Sequence, residues 1–170
     1  IVNIDVTLIV DGWHGDTSRM YPVGEISRRA ERLIAVTYES LIRGIAAVKP
    51  GHTTGDIGAA IQSYAEGERC SVVRDFCGHG IGQLFHDAPN ILHYGSPGEG
   101  VEMREGMIFT IEPMINAGKA AIREMADGWT IVTKDRSLSA QWEHTVLVTE
   151  TGYEVMTLSA GGRAKPDWIN

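Results

Sequence analysis

The sequence predicts an α+β fold, with helices packed on one face of a curved antiparallel sheet. Three observations lead there. The first residues carry the two-residue period of strands, the next stretch carries a helical period, and glycine and proline break the second half into short apolar runs.

The first ten residues alternate, with Val2, Ile4, Val6, Leu8 and Val10 apolar and Asn3, Asp5 and Thr7 polar between them. That is the pattern of a half-buried strand. Asp11-Gly12 is a hairpin-turn pair, so a return strand is expected from Trp13 to about Val23. Beyond Ser27 the period lengthens, and Ala30, Leu33, Ile34, Thr37, Leu41, Ile45 and Val48 share one helical face. Pro50-Gly51 ends that helix. Thr53 with Asp56 resembles a capping box opening a second helix, which carries Ile57, Ala60, Ile61 and Tyr64 and ends near Gly67. Residues 71–76 read as a short strand running into the glycine-rich turn Gly78-His79-Gly80-Ile81-Gly82. Residues 87–106, rich in glycine and proline, read as a long irregular connection, and residues 107–115, 129–133, 142–149 and 153–158 read as strands. Residues 1–170 are expected to form a single domain whose N-terminal part is missing, because Ile1 already lies within strand pattern.

Composition narrows the function. Of 170 residues, 43% are hydrophobic and 22% charged, as in an ordinary globular chain. A net charge of −7 without a basic stripe excludes a general nucleic-acid surface, and no apolar run approaches the roughly 20 residues needed to span a bilayer. Cys70 and Cys77 are too few for a zinc knuckle and wrongly spaced for a redox pair. Two unpaired thiols fit a reducing compartment, so a cytoplasmic protein is expected.

With Asp11 and Gly12 in the turn, Thr7 lies opposite Asp16 and Asp5 opposite Ser18, all on one face, with the apolar set on the other. Diagonal neighbours on such a face lie roughly 7–8 Å apart or less, so Asp5 and Asp16 repel each other unless a cation intervenes. A solvated polar face is the alternative; Ile1 and Ile9 on the same side weigh against it. His79 sits between two glycines, and His86 follows at a spacing that is not a helical zinc pair. Glu112 lies among Phe109, Ile111, Met114 and Ile115, and Glu143 follows Trp142. Either is hard to bury without a partner. A salt bridge would explain one; two invite a shared explanation. Four carboxylates and an imidazole form a mostly oxygen donor set that suits Mn²⁺, Fe²⁺ or Co²⁺ at least as well as Zn²⁺. Such sets serve paired ions in both aminopeptidases and phosphatases, and composition does not choose between them.

Longer motifs do. Asn3-Ile4-Asp5-Val6-Thr7, His14-Gly15-Asp16-Thr17, Cys77-Gly78-His79-Gly80-Ile81-Gly82 and Phe85-His86 resemble the methionine aminopeptidases. So do Phe109-Thr110-Ile111-Glu112-Pro113-Met114, Asp127-Gly128-Trp129-Thr130 and Ser137-Leu138-Ser139-Ala140-Gln141-Trp142-Glu143-His144-Thr145. The last two resemble the type I branch more than the proline-specific peptidases or creatinase. The resemblance implies the pita-bread fold and a hydrolase that removes N-terminal methionine from nascent polypeptides near the ribosome, monomeric at full length. It implies two divalent ions (cobalt, manganese, iron or zinc). Asp5 would chelate one, Asp16 and Glu143 would bridge both, and His79 and Glu112 would hold the other. Glu112 would move the proton, His86 would contact the substrate, and Phe85 and Trp129 would wall the methionine pocket. Thr7 would support the site beside Asp5. The nucleophile would be a hydroxide between the ions. The resemblance also implies that the N-terminal region supplies part of the pocket and a further histidine, so that these residues alone would have little activity. Two alternatives share the fold, an Xaa-Pro aminopeptidase or dipeptidase and a non-catalytic binding module. His14, His52, His93 and His144 take no role from these patterns.

Overall fold

The computed structural model describes residues 1–159. Strands β1 (Val2–Val10) and β2 (Trp13–Tyr21) form a hairpin in the expected register, with Thr7 opposite Asp16 and Asp5 opposite Ser18. Asp11 (φ 50°) and Gly12 (φ 83°) both take left-handed backbone at its tip, as a type I′ turn requires. The exposure of its apolar face departs from expectation. Ile4, Leu8 and Val10 are 50%, 65% and 67% exposed, while Asp16 and Ser18 are buried. The polar face turns inward because it is hydrogen-bonded to the far end of the chain. The Thr17 hydroxyl donates to the Glu143 carbonyl, the Glu143 N–H donates to the Ser18 carbonyl, and the Asn3 amide donates to the Gln141 carbonyl.

Helix α1 (Arg28–Ala46) starts where Ser27 accepts the Ala30 N–H, and the predicted apolar face from Ala30 to Val48 is buried throughout. Helix α2 (Thr54–Gly67) follows; the Asp56 carboxylate accepts from both the Thr53 N–H (2.7 Å) and the Thr53 hydroxyl (3.1 Å). Ile57, Ile61 and Ala65 are buried, and Gly44 of α1 lets Ile57 and Ile61 approach its backbone closely. Both helices lie against the sheets that follow.

The second half contains β3 (Ser71–Val72), β4 (Gly78–Gly80), β5 (Asp87–Ile91), β6 (Ile108–Ile111), β7 (Met114–Asn116), β8 (Ile122–Glu124), β9 (Ile131–Thr133), β10 (Ser139–Gln141), β11 (His144–Val148) and β12 (Tyr153–Val155). They form a five-stranded sheet ordered β12-β11-β6-β4-β5, a three-stranded sheet β10-β7-β3 and a separate β8–β9 pair. One segment read as a continuous strand is therefore split between sheets, and a second begins two residues late beside a strand of the other sheet. Residues 107–115 divide into β6 and β7 at Glu112-Pro113, where proline has no N–H for a ladder. Residues 142–149 give β11, preceded by β10, with Trp142-Glu143 between them. Ile111 pairs with His144, and Met114 with Gln141, so the two joints lie side by side. The Trp142 indole seals them to the helical layer by donating to the Ile34 carbonyl at 3.2 Å.

The glycine-rich turn is instead a buried inner strand, β4, paired with both β5 and β6. A Cβ on Gly78 would strike the Thr110 carbonyl, and one on Gly80 the Ala88 carbonyl. β5, in turn, occupies the start of the expected irregular connection. Gly80→Ala is expected to destabilise the chain by about 1–3 kcal/mol, the usual cost of overpacking. Equilibrium denaturant unfolding measures this, and an unchanged midpoint would mean the strands have room to spare.

Candidate metal centre

Five side chains from distant parts of the sequence meet on the inward face of the hairpin. Asp5 comes from β1, Asp16 from β2, His79 from β4, and Glu112 and Glu143 from the two sheet-to-sheet joints. His79 Nε2 lies 3.9 Å from Asp16 Oδ2 and 3.6 Å from Glu112 Oε1. Asp16, His79 and Glu143 each offer a donor atom within 4.8 Å of the other two. Asp5 lies within electrostatic reach of Asp16. Asp5, Asp16, His79 and Glu112 line a cleft of about 530 Å³. Glu143 is buried beside them, and neither of its carboxylate oxygens has a hydrogen-bond partner.

Neighbours hold these groups in place. The Thr7 hydroxyl donates to Asp16 Oδ1 at 2.9 Å, and the Thr145 hydroxyl donates to the Asp16 carbonyl at 2.7 Å. The Thr110 hydroxyl donates to Glu112 Oε1 at 2.7 Å, and the Gln141 amide donates to Glu112 Oε2 at 3.2 Å. His79 Nδ1 is 3.0 Å from the Gly80 carbonyl. With its proton there, Nε2 is left as a lone pair aimed at the carboxylates, the tautomer a metal ligand needs.

Phe85 and His86 stand on the rim of the cleft, the Phe85 ring 5.5 Å and the His86 ring 4.3 Å from that of His79. Trp129, expected as a second pocket wall, does not line the cleft. It is 78% exposed, at the end of a β8–β9 pair that joins neither of the larger sheets.

The profile of metallopeptidase family M24 matches residues 1–150. The chain belongs to that family. Among relatives of this M24 chain, the methionine aminopeptidase of Rickettsia prowazekii is 60% identical over 160 residues, covering 94% of this chain and 62% of that protein. The chain thus spans about three fifths of that relative's length. The crystal structure of the Rickettsia prowazekii methionine aminopeptidase superposes with a TM-score of 0.90 at 58% identity, over 92% of this chain and 63% of that one. Prolidase from Pyrococcus furiosus superposes at 0.71 with 23% identity, over 92% of this chain and 41% of its own, a likeness of fold alone. The pita-bread architecture expected from the motifs is the one observed.

The electrostatics of this candidate centre fit a cation site. Burial first, then the charges of Glu112, Asp16 and Asp5, push the Glu143 carboxyl up to about 10. Burial, with Asp5 and Asp16 nearby, raises Glu112 to about 7 against the opposing hydrogen bond from Thr110. Asp5 rises to about 6 through desolvation and the neighbouring Asp16. Burial lowers the His79 pKa and favours the neutral ligand form. Among the described residues no lysine or arginine pairs with any of the four carboxylates, which removes the salt-bridge explanation. A hard-oxygen set with one imidazole, crowded and lacking a counter-charge, fits divalent ions.

Sequence reading missed the supports. Thr110, Gln141 and Thr145 are ordinary strand residues until the sheets pair. His14, left without a role, stacks on Phe85 at 5.6 Å and lies 2.9 Å through Nδ1 from the Gly82 carbonyl.

Asp5, Glu112 and Glu143 hold their protons more tightly folded than unfolded. Their contribution to stability is therefore full below about pH 4 and declines as pH rises through about 6, 7 and 10. The melting temperature of chelator-treated protein is expected to fall from about pH 5 to pH 8 relative to the Mn²⁺-loaded form, so that their gap widens. A gap that stays constant across that range would contradict the coupling. Glu143→Gln, neutral at every pH, is expected to make the chelated protein more stable at pH 7 while abolishing the rise in melting temperature on adding Mn²⁺. An undiminished rise would remove Glu143 from the centre.

Proposed function

We propose that this chain forms the metal-holding part of a methionine aminopeptidase, acting in the cytoplasm on the N-terminal methionine of nascent polypeptides. One observation carries the reading: His79 Nε2 and four crowded carboxylates converge with no lysine or arginine among the described residues to balance them. The choice of methionine rests on the relatives, which include methionine aminopeptidases at about 60% identity.

Asp5, Asp16, His79, Glu112 and Glu143 would hold two divalent ions. Asp16 and Glu143 are the candidates to bridge, since both lie next to His79 and Glu143 leaves both oxygens free. When bound, such ions supply an activated water and polarise the scissile carbonyl. Glu112 is the candidate proton carrier between the attacking water and the leaving amine. Its carboxylate is oriented by Thr110 and Gln141 and opens on the cleft. His86, exposed on the rim, would donate a hydrogen bond to the substrate carbonyl, and Phe85 would offer a flat apolar surface for a thioether. A non-catalytic module would have no need to keep all five donors turned toward one cleft.

The protein carrying this chain, loaded with Co²⁺ or Mn²⁺, is expected to release free methionine from a Met-Ala-Ser peptide and to leave Xaa-Pro peptides intact. Glu112→Gln is expected to lower kcat by about 10²–10⁴-fold, the range of general acid–base catalysis. Preferential cleavage of Xaa-Pro, or a Glu112→Gln variant of full activity, would overturn the assignment.

A further inference from the structure

His93 lies outside the proposed ligand set, yet it is 2% exposed and its Nε2 accepts the backbone N–H of Glu112 at 3.0 Å. That N–H has no strand to bond. β6 ends at Ile111, Pro113 follows, and the chain is leaving one sheet for the other. The backbone around His93 is itself fixed. Gly58 of α2 lies so close to the Leu92 and Tyr94 carbonyls that any Cβ there would collide with them, which pins residues 92–94 against the helix.

We infer that His93 is a positioning residue for the metal centre, its neutral imidazole fixing the Glu112 main chain and so setting where that carboxylate meets the cation. The inference rests on the metal-centre reading of Glu112. Thr110 and Gln141 grip the two carboxylate oxygens, but a grip on the oxygens cannot hold a carboxylate whose main chain drifts. An apolar residue at position 93 would leave the N–H buried and unpaired. The joint would then relax to find another acceptor, because a buried donor without a partner is costly. The carboxylate would move with it. Partners that orient a ligand in this way typically alter metal affinity by about 10–100-fold when removed.

Two measurements on the full chain test this. In metal-free, ¹⁵N-labelled protein, a scalar coupling is expected across the hydrogen bond between the Glu112 amide nitrogen and His93 Nε2. Titration with Co²⁺ alone is then followed through the paramagnetically shifted ring protons of His79, which report the ion shared with Glu112. His93→Phe, similar in shape but with no acceptor, is expected to weaken that ion's binding by about 10–100-fold. His93→Gln, whose amide oxygen reaches the place of Nε2, is expected to recover most of the loss. An absent coupling, a His93→Phe variant with wild-type cobalt affinity, or a His93→Gln variant no better than His93→Phe would each overturn the inference. If cobalt fails to reach His79 even in the wild type while the coupling is present, the metal-centre reading itself falls.

Discussion

The arrangement depends on one constraint: acidic side chains are crowded together, two of them buried, where no lysine or arginine among the described residues balances them. Glu112 and Glu143 stand at the two adjacent joints where the polypeptide crosses between the three- and five-stranded sheets. A joint has fewer ladder bonds to satisfy than a strand interior, so it can admit a carboxylate where a continuous strand would demand an apolar residue. Its cost is electrostatic. Without a counter-ion the group retains protons that free carboxyls would have lost, Glu143 most of all, and the same crowding makes the cluster receptive to a divalent cation.

The hairpin completes the site for the same reason. The hairpin is drawn inward by hydrogen bonds that Asn3 and Thr17 donate to residues 141 and 143 and that the Glu143 N–H donates to Ser18, which press Asp5 and Asp16 against the joints. The apolar residues of β1 are left outward as a consequence. His79 arrives by a different device. Glycines on both sides let β4 slip between β5 and β6, at a distance no side chain would permit. Each donor is thus carried on regular strand or on a joint locked by its neighbours, which is how a site keeps its geometry before a ligand arrives. The fold does not by itself choose a substrate. Prolidase shares the architecture at low identity, so under the proposed function the choice of methionine would lie with residues around the cleft such as Phe85 and His86.

Much of this was legible in advance because it follows from local rules. The turn at Asp11-Gly12 sets the hairpin register, and that register alone puts Asp5 and Asp16 on one face. The seam from Ala30 to Val48 and the Thr53–Asp56 cap define the helices without reference to the rest of the chain. The candidate ligands could be picked out because an acid in an apolar run is costly wherever it is buried, and the longer motifs around them carried the family.

What local pattern could not show is which side of each element faces inward and where a run of apolar residues changes partner. A two-residue period says that the faces of β1 differ; burial depends on what lies against each one, and here the polar face won. Residues 107–115 look continuous because both halves are apolar, and only the pairing of β6 with β11 and of β7 with β10 divides them. Trp129 sat in the expected motif, yet the small hairpin that bears it leaves the ring in solvent. His93 reads as one more loop histidine until the fold brings it against an amide 19 residues away. Periodicity and turn chemistry act over a few residues, so the sequence states them directly. Facing, partnering and support arise between segments far apart in the chain, and they exist only once those segments have packed.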